Sequence, residues 1–318
     1  MHLAQSSASR APSRAPLSTA ATTPTWLDRS AYPFVPRAFA TEEGTMAYVD
    51  EGEGPPVLFV HGTPTWSFEW RAVIRTLAAT HRCIAPDHLG FGLSDKPSHD
   101  ALRPEDHARR LSAFARALDL QNLTLVVHDF GGPIGLPIAR DMPERVARLV
   151  VVNSWMWPNG DDPRVARLDR FLRSAFGRAL YMWLNVSPRF LLPAAFGDRS
   201  KLTRSVHTQY LGPFRERRAR ASLYALALAL VGSDPFYASI LEARDRLARI
   251  PLQIVWGERD PALGAAERDR WLALFPHARC TRLPNVGHFV AEEAPDAIVA
   301  AVRNDPLPPA QARICATV

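Results

Sequence analysis

Short apolar runs, each closed by a turn and followed by residues at helical spacing, recur along the chain. They constrain its fold more than any other feature. Met46–Asp50 (MAYVD), Val57–His61 (VLFVH), Arg82–Asp87 (RCIAPD), Leu123–Asp129 (LTLVVHD) and Leu149–Asn153 (LVVVN) read as strands. Runs this short and this apolar belong inside a sheet covered on both faces. Residues 67–80, 104–118 and the stretch following Asp129 read as the intervening helices. Strands alternating with helices specify an α/β fold: a mostly parallel sheet with helices on both faces and right-handed crossovers.

The alternation stops at Asn153. Residues 155–232 are rich in Arg, Leu and Ala and read as several helices. It resumes with Pro251–Asp260, a helix near 264–275, a last strand and loop in ARCTRLPNVGH, and a helix near 294–303. The expected organisation is a sheet core of residues 26–154 and 233–305, carrying a helical cap insertion over 155–232. Residues 1–25 read as a flexible extension and 306–318 as a frayed tail.

The 47% hydrophobic and 22% charged residues exclude a disordered or fibrous chain. No run approaches the ~20 apolar residues of a membrane span, so no membrane partner is expected. The net charge of +6 invites a nucleic-acid reading, but the charge is local. Residues 155–250 hold 16 Lys/Arg against 8 Asp/Glu, residues 1–24 hold two Arg and no acid, and the remainder holds 20 against 24. Only Lys96 and Lys201 are lysines, and no zinc-finger, helix-turn-helix or RNP-like pattern accompanies the arginines, so nucleic acid is not an expected partner. Cys83, Cys280 and Cys315 are odd in number and widely spaced, which fits neither a disulfide framework nor a metal site. A reducing cytoplasm is the simplest compartment.

Ligands of open parallel sheets bind at the carboxyl ends of the strands. Four such ends carry His61-Gly62, His128-Asp129, Asp260 and His288. The frame V-V-H-D-F-G-G runs an apolar strand into Asp129, Phe130 and two glycines, and then into a helix. This is the context of a nucleophile elbow, with a carboxylate where a hydroxyl is usual. A carboxylate displaces a leaving group at saturated carbon and becomes an alkyl ester, which an activated water then hydrolyses. His288, on the loop after the last strand, is the candidate base. Asp260 is the candidate acid behind it, with Glu258 as a weaker rival. Backbone N–H groups of Thr63 and Phe130 are the candidate oxyanion hole.

The frames H-G-T-P-T-W-S, D-H-L-G-F-G-L-S-D-K-P, V-H-D-F-G-G-P, V-N-S-W-M-W-P, V-W-G-E-R-D-P and N-V-G-H-F, in this order, resemble the haloalkane dehalogenase family of the α/β-hydrolase superfamily. The match covers roughly residues 26–305. The resemblance implies an α/β-hydrolase fold, Asp129 as nucleophile, His288 as base and Asp260 as acid. It implies a small apolar substrate and water as the partners, and no metal or other cofactor.

Two positions depart from the family. Phe130 stands where the family carries a halide-holding Trp, and Thr63 where it commonly carries Asn. One lost donor of this kind costs about 3 kcal/mol, roughly a hundredfold in rate. Trp66, Trp155 and Trp157 are the candidates for a substitute indole N–H; packing where insertion meets core is their other reading. Haloalkane dehalogenation is the expected activity. Epoxide hydrolysis, for which Tyr181, Tyr210, Tyr224 and Tyr237 offer phenols, and β-lactone turnover are the alternatives. A non-catalytic ligand-binding relative is a further one, and the oligomeric state is open.

Overall fold

The computed structural model describes residues 24–97 and 102–306, with the backbone of Arg313 and Ile314. Most of the extension expected over 1–25 and of the tail over 306–318 lies outside the described residues. Among the described residues, one sheet contains β1 (Arg37–Thr41), β2 (Gly44–Glu51), β3 (Pro56–Val60), β4 (Arg82–Pro86) and β5 (Leu123–Asp129). It continues with β6 (Val146–Ser154), β7 (Leu252–Gly257), β8 (Arg279–Leu283) and β9 (Arg313–Ile314). The spatial order is β1-β2-β4-β3-β5-β6-β7-β8-β9. Strands β3 to β8 are mutually parallel; β1, β2 and β9 join antiparallel at the two edges.

The apolar runs supply both faces of this sheet because successive side chains alternate. Leu58, Val60, Leu125, Val127, Leu149, Val151 and Ile254 face one way and Val57, Phe59, Val126, Val150, Val152 and Val255 the other. The first set packs against α2 (Pro104–Ala117) and α3 (Gly131–Asp141) through Leu111, Phe114, Ile134 and Ile138. The second packs against α1 (Arg71–Leu77) and, near the end of the chain, Pro295–Arg303, through Val73, Ile74, Ile298 and Val302. Each such side chain contributes about 1.5–3 kcal/mol on full burial, so a polar residue in these runs would be felt.

Between β6 and β7 lie α4 (Pro163–Leu172), α5 (Ala175–Met182), α6 (Leu192–Ala194), α7 (Arg204–Leu211), α8 (Arg220–Gly232), α9 (Asp234–Glu242) and α10 (Arg244–Leu247). Helix α8 packs against α4 and α5, whereas α9 and α10 return to α3. After β7 come α11 (Ala265–Leu274), α12 (Val290–Glu293) and α13 (Pro295–Arg303).

Two strands differ from the sequence pattern. The run RAFAT of β1 is only half-buried at the sheet edge, so it lacks the apolar signature of the inner strands. In the expected frayed tail, Arg313–Ile314 pairs with Arg282 and Thr281 of β8. No single described helix is long and apolar enough to cross a membrane.

Candidate active site

Asp129 closes β5 with a φ of +52°, a left-handed conformation that costs a non-glycine residue about 1–3 kcal/mol. The β5–β6 register breaks between His128 and Asp129, and α3 starts two residues later. Ser154 Oγ donates to the Asp129 carbonyl at 2.6 Å and holds the turn. The neighbours must be small. A Cβ on Gly62 would collide with the Asp129 carboxylate, and one on Gly131 with the Val60 carbonyl. The elbow thereby points the carboxylate at the H-G-T-P loop.

Thr63 N–H donates to Asp129 Oδ1 at 2.8 Å. Phe130 caps the N-terminus of α3, where backbone donors have no partner within the helix. On the other side, His288 Nε2 lies 3.5 Å from Asp129 Oδ2. His288 Nδ1 is 2.6 Å from Asp260 Oδ2. The Asp260 carboxylate also accepts the N–H groups of Ala262 and Leu263 at 2.8 and 3.0 Å. The three side chains lie more than 150 residues apart in the chain at their extremes, yet β5, β7 and β8 bring them together because parallel strands end at the same edge.

Burial by itself would push the His288 imidazole down. The carboxylates of Asp260 and Asp129 outweigh it and hold His288 well above its usual value. For Asp260 burial also works the other way, and the His288 charge and the loop N–H groups bring its carboxyl below its usual value.

Comparison with known proteins gives the family. The alpha/beta hydrolase fold family model matches residues 55–295. The chain is 34% identical to haloalkane dehalogenase 2 of Mycobacterium tuberculosis H37Rv over 277 residues, covering 86% of this chain and 96% of that one. The chain belongs to the haloalkane dehalogenase family of α/β-hydrolases. It is also 31% identical to a cis-3-alkyl-4-alkyloxetan-2-one decarboxylase of Shewanella oneidensis over 280 residues, covering 84% and 87% of the two chains. The crystal structure of haloalkane dehalogenase DbeA from Bradyrhizobium elkani superposes with a TM-score of 0.76 at 27% identity, over 85% of this chain and 97% of that one.

As a member of the dehalogenase family, the chain holds its histidine with residues the sequence motifs do not reveal. Asn153, at the end of β6 with φ +29°, bridges β7 to the acid. Its Nδ2 donates to Asp260 Oδ2 at 2.8 Å and to the Gly257 carbonyl at 3.1 Å, while its Oδ1 accepts Gly257 N–H at 2.8 Å. Beneath the base, His128 Nε2 is 2.9 Å from the His288 carbonyl and its Nδ1 is 3.1 Å from the buried Glu69 carboxylate. Glu293 accepts the N–H groups of Gly197, Asp198 and Gly287, tying the helical segment to the loop of the base. An Asn near the end of the strand that neighbours the acid-bearing one is the signal that could have found Asn153.

The donors expected for a family halide are dispersed. Trp66 does not join the site: its indole N–H donates to the Gln209 carbonyl at 3.1 Å, and its ring packs among Trp26, Tyr32 and Phe68. That corrects its candidacy, because a buried N–H already paired is not available to a ligand. Trp157 packs on Trp271 and under the Arg270 guanidinium. Trp155 stands 4.8 Å from the Phe130 ring, and its buried Nε1 has no partner among the described residues. The Thr63 hydroxyl is likewise buried without one. Glu258 is ruled out beside His288, since Arg282 and Arg268 occupy its carboxylate.

Three of the four tyrosines are engaged: Tyr210 with Glu292, Tyr224 with the Leu172 carbonyl and Tyr237 with the Ala229 carbonyl. The Tyr181 hydroxyl has no hydrogen-bond partner among the described residues. Burial, and then the Asp129 charge, push it up to about 12.

Proposed function

We propose that the protein hydrolyses haloalkanes to alcohol and halide through an ester on Asp129. The observation that carries the reading is the Asp129 carboxylate held between Thr63 N–H and His288 Nε2 at the elbow. The oxygen facing His288 attacks the carbon bearing the halogen and forms the C–O bond as the carbon–halogen bond breaks. The electron pair leaves with the halide. Water then adds to Cγ of the ester, His288 taking its proton and Asp260 stabilising the imidazolium. Charge gathers on Oδ1, which Thr63 N–H already faces, together with Phe130 N–H. Collapse breaks the bond from Cγ to the alkylated oxygen; His288 returns its proton to that oxygen, the alcohol leaves, and the carboxylate is restored as its proton passes to solvent.

The first step prepares the second. Esterification removes the Asp129 charge, one of the causes that hold His288 high. Asp260 still raises the imidazole, but with the Asp129 charge gone the free base is easier to reach once the ester has formed. For the departing halide, the unpaired Trp155 Nε1 and Thr63 hydroxyl support a role that Phe130 does not fill.

Offering bromo- and chloroalkanes to the wild type and to His288→Ala tests the reading. Stoichiometric halide release with an alkyl mass on the Asp129 peptide of the variant is the expected result. No adduct from any halide on a folded sample overturns it.

A second reading has its own support. In a β-lactone or an epoxide the leaving oxygen stays tethered and no halide needs to be held. The Tyr181 phenol, raised first by burial and then by the Asp129 charge, suits an oxygen leaving group, and one relative is named as an oxetanone decarboxylase. The same variant weighed after exposure to a β-lactone and an epoxide separates these electrophiles. We place the enzyme in the cytoplasm, which suits the buried thiol of Cys83.

A further inference from the structure

No single described helix is long and apolar enough to cross a membrane, but the outer face of α4 and α5 has a composition that water alone does not explain. Phe176 and Trp183 are 65% and 66% exposed, and Phe171, Leu184, Phe190 and Leu191 are also exposed. Phe176 and Trp183 are seven residues apart, two turns of one helix, so they share a face of α5 and its final turn. Phe171 of α4 meets Phe176 with ring centroids 6.0 Å apart, which joins the two helices into one patch. Large apolar side chains grouped in this way mark a contact surface, whereas single ones are ordinary.

Arginine surrounds them. Residues 163–204 hold nine Lys/Arg against two Asp/Glu, a net +7. Arg167, Arg170, Arg178 and Arg189 are exposed and make no ion pair among the described residues. Arg217 lies 4.2 Å above the Trp183 ring and Arg189 5.6 Å from the Phe190 ring. Arg220 anchors this corner by donating to the carbonyls of Met182 and Trp183.

We propose that this face docks the protein on an anionic lipid bilayer. Aromatic and aliphatic side chains with interspersed arginines are what an interfacial helix presents to headgroups and acyl chains. Charge selects this occupant over a second copy of the chain: two such faces brought together would repel, whereas an anionic surface neutralises both rims. The contact is peripheral, with α4 and α5 lying on the surface. It brings the helical segment between β6 and β7 to the phase in which apolar molecules concentrate.

The test is co-sedimentation of the full-length protein with phosphatidylcholine vesicles, with or without phosphatidylglycerol. Binding is expected to the mixed vesicles and to weaken as salt rises. Arg167→Gln/Arg170→Gln/Arg178→Gln should weaken it about a hundredfold, from about fivefold for each arginine. Phe176→Ser/Trp183→Ser should abolish it while circular dichroism stays unchanged. No binding, or equal binding to neutral and anionic vesicles, overturns the proposal. So does lipid-free analytical ultracentrifugation in which the wild type is an oligomer and the Phe176/Trp183 variant a monomer, because the face then belongs to a second copy.

Discussion

The two sides of Asp129 are built to different standards. Toward His288, hydrogen bonds continue outward: His288 to Asp260, Asp260 to two loop N–H groups and to Asn153, and the His288 carbonyl to His128 and on to Glu69. Toward Phe130, the polar groups are loose ends: the Thr63 hydroxyl and the Trp155 indole N–H are buried and unpaired. A buried donor left unmade costs about 1–3 kcal/mol. The contrast teaches that ester hydrolysis is prepared in advance, whereas leaving-group selection is left to what the substrate brings.

The largest effect should come from breaking the prepared side. Asp260→Asn should slow ester hydrolysis by about 10⁴-fold, since the imidazolium loses its counter-charge. Single-turnover mass spectrometry should then show the alkyl ester building up while its formation changes far less. Next, Phe130→Trp supplies the indole that the other side lacks. Chloride release from a chloroalkane should rise by up to about a hundredfold, while turnover of a β-lactone, which releases no halide, should not. If both rise equally, the leaving-group side was not the limiting one.

Trp155→Phe keeps an aromatic ring and removes the unpaired N–H together with part of the indole. Halide release should fall about tenfold if the indole holds the halide, with a modest drop in melting temperature from the cavity left. The pH response sharpens the same contrast. Ester hydrolysis should rise about tenfold per pH unit until His288 in the ester is neutral, and then level off. In the free enzyme His288 is held high, so its stabilising share is complete below the unfolded histidine value of about 6.5. That share is lost as pH rises through the folded value. The difference in melting temperature between wild type and His288→Ala should therefore narrow on the alkaline side. The smallest effect is expected from Asn153→Ala, about 1–3 kcal/mol of stability with a several-fold loss of rate.

Legibility in the sequence followed burial and local frames. The inner strands announce themselves because both faces of Val57–Val60 and Leu123–Val127 are covered, whereas half-buried β1 does not. Asp129, at the end of β5, and Asp260 and His288, on the loops after β7 and β8, were legible as candidates because each sits in a short motif. Asn153, Glu69 and Glu293 were not, because their partners are contributed by other elements through packing. For Trp66 the sequence left donor and packing both open for the same reason: the partner that decides for packing, the Gln209 carbonyl, is 143 residues away. The excess of arginine in 155–250 was plain from composition, but which face of α4 and α5 it occupies was not.

The three bonds of Glu293 carry a consequence for recombination. They clasp residues 197 and 198, from the helical segment, to residue 287, next to the base. The His288 N–H also donates to the Ala195 carbonyl at 2.9 Å. A chimera that imports its helices from a relative would thus exchange half of a clasp around the histidine along with the lining of the substrate site. Grafts that retain residues 195–198 from this chain should keep the timing of ester hydrolysis native while the substrate range changes. Grafts that replace them tie the two properties together.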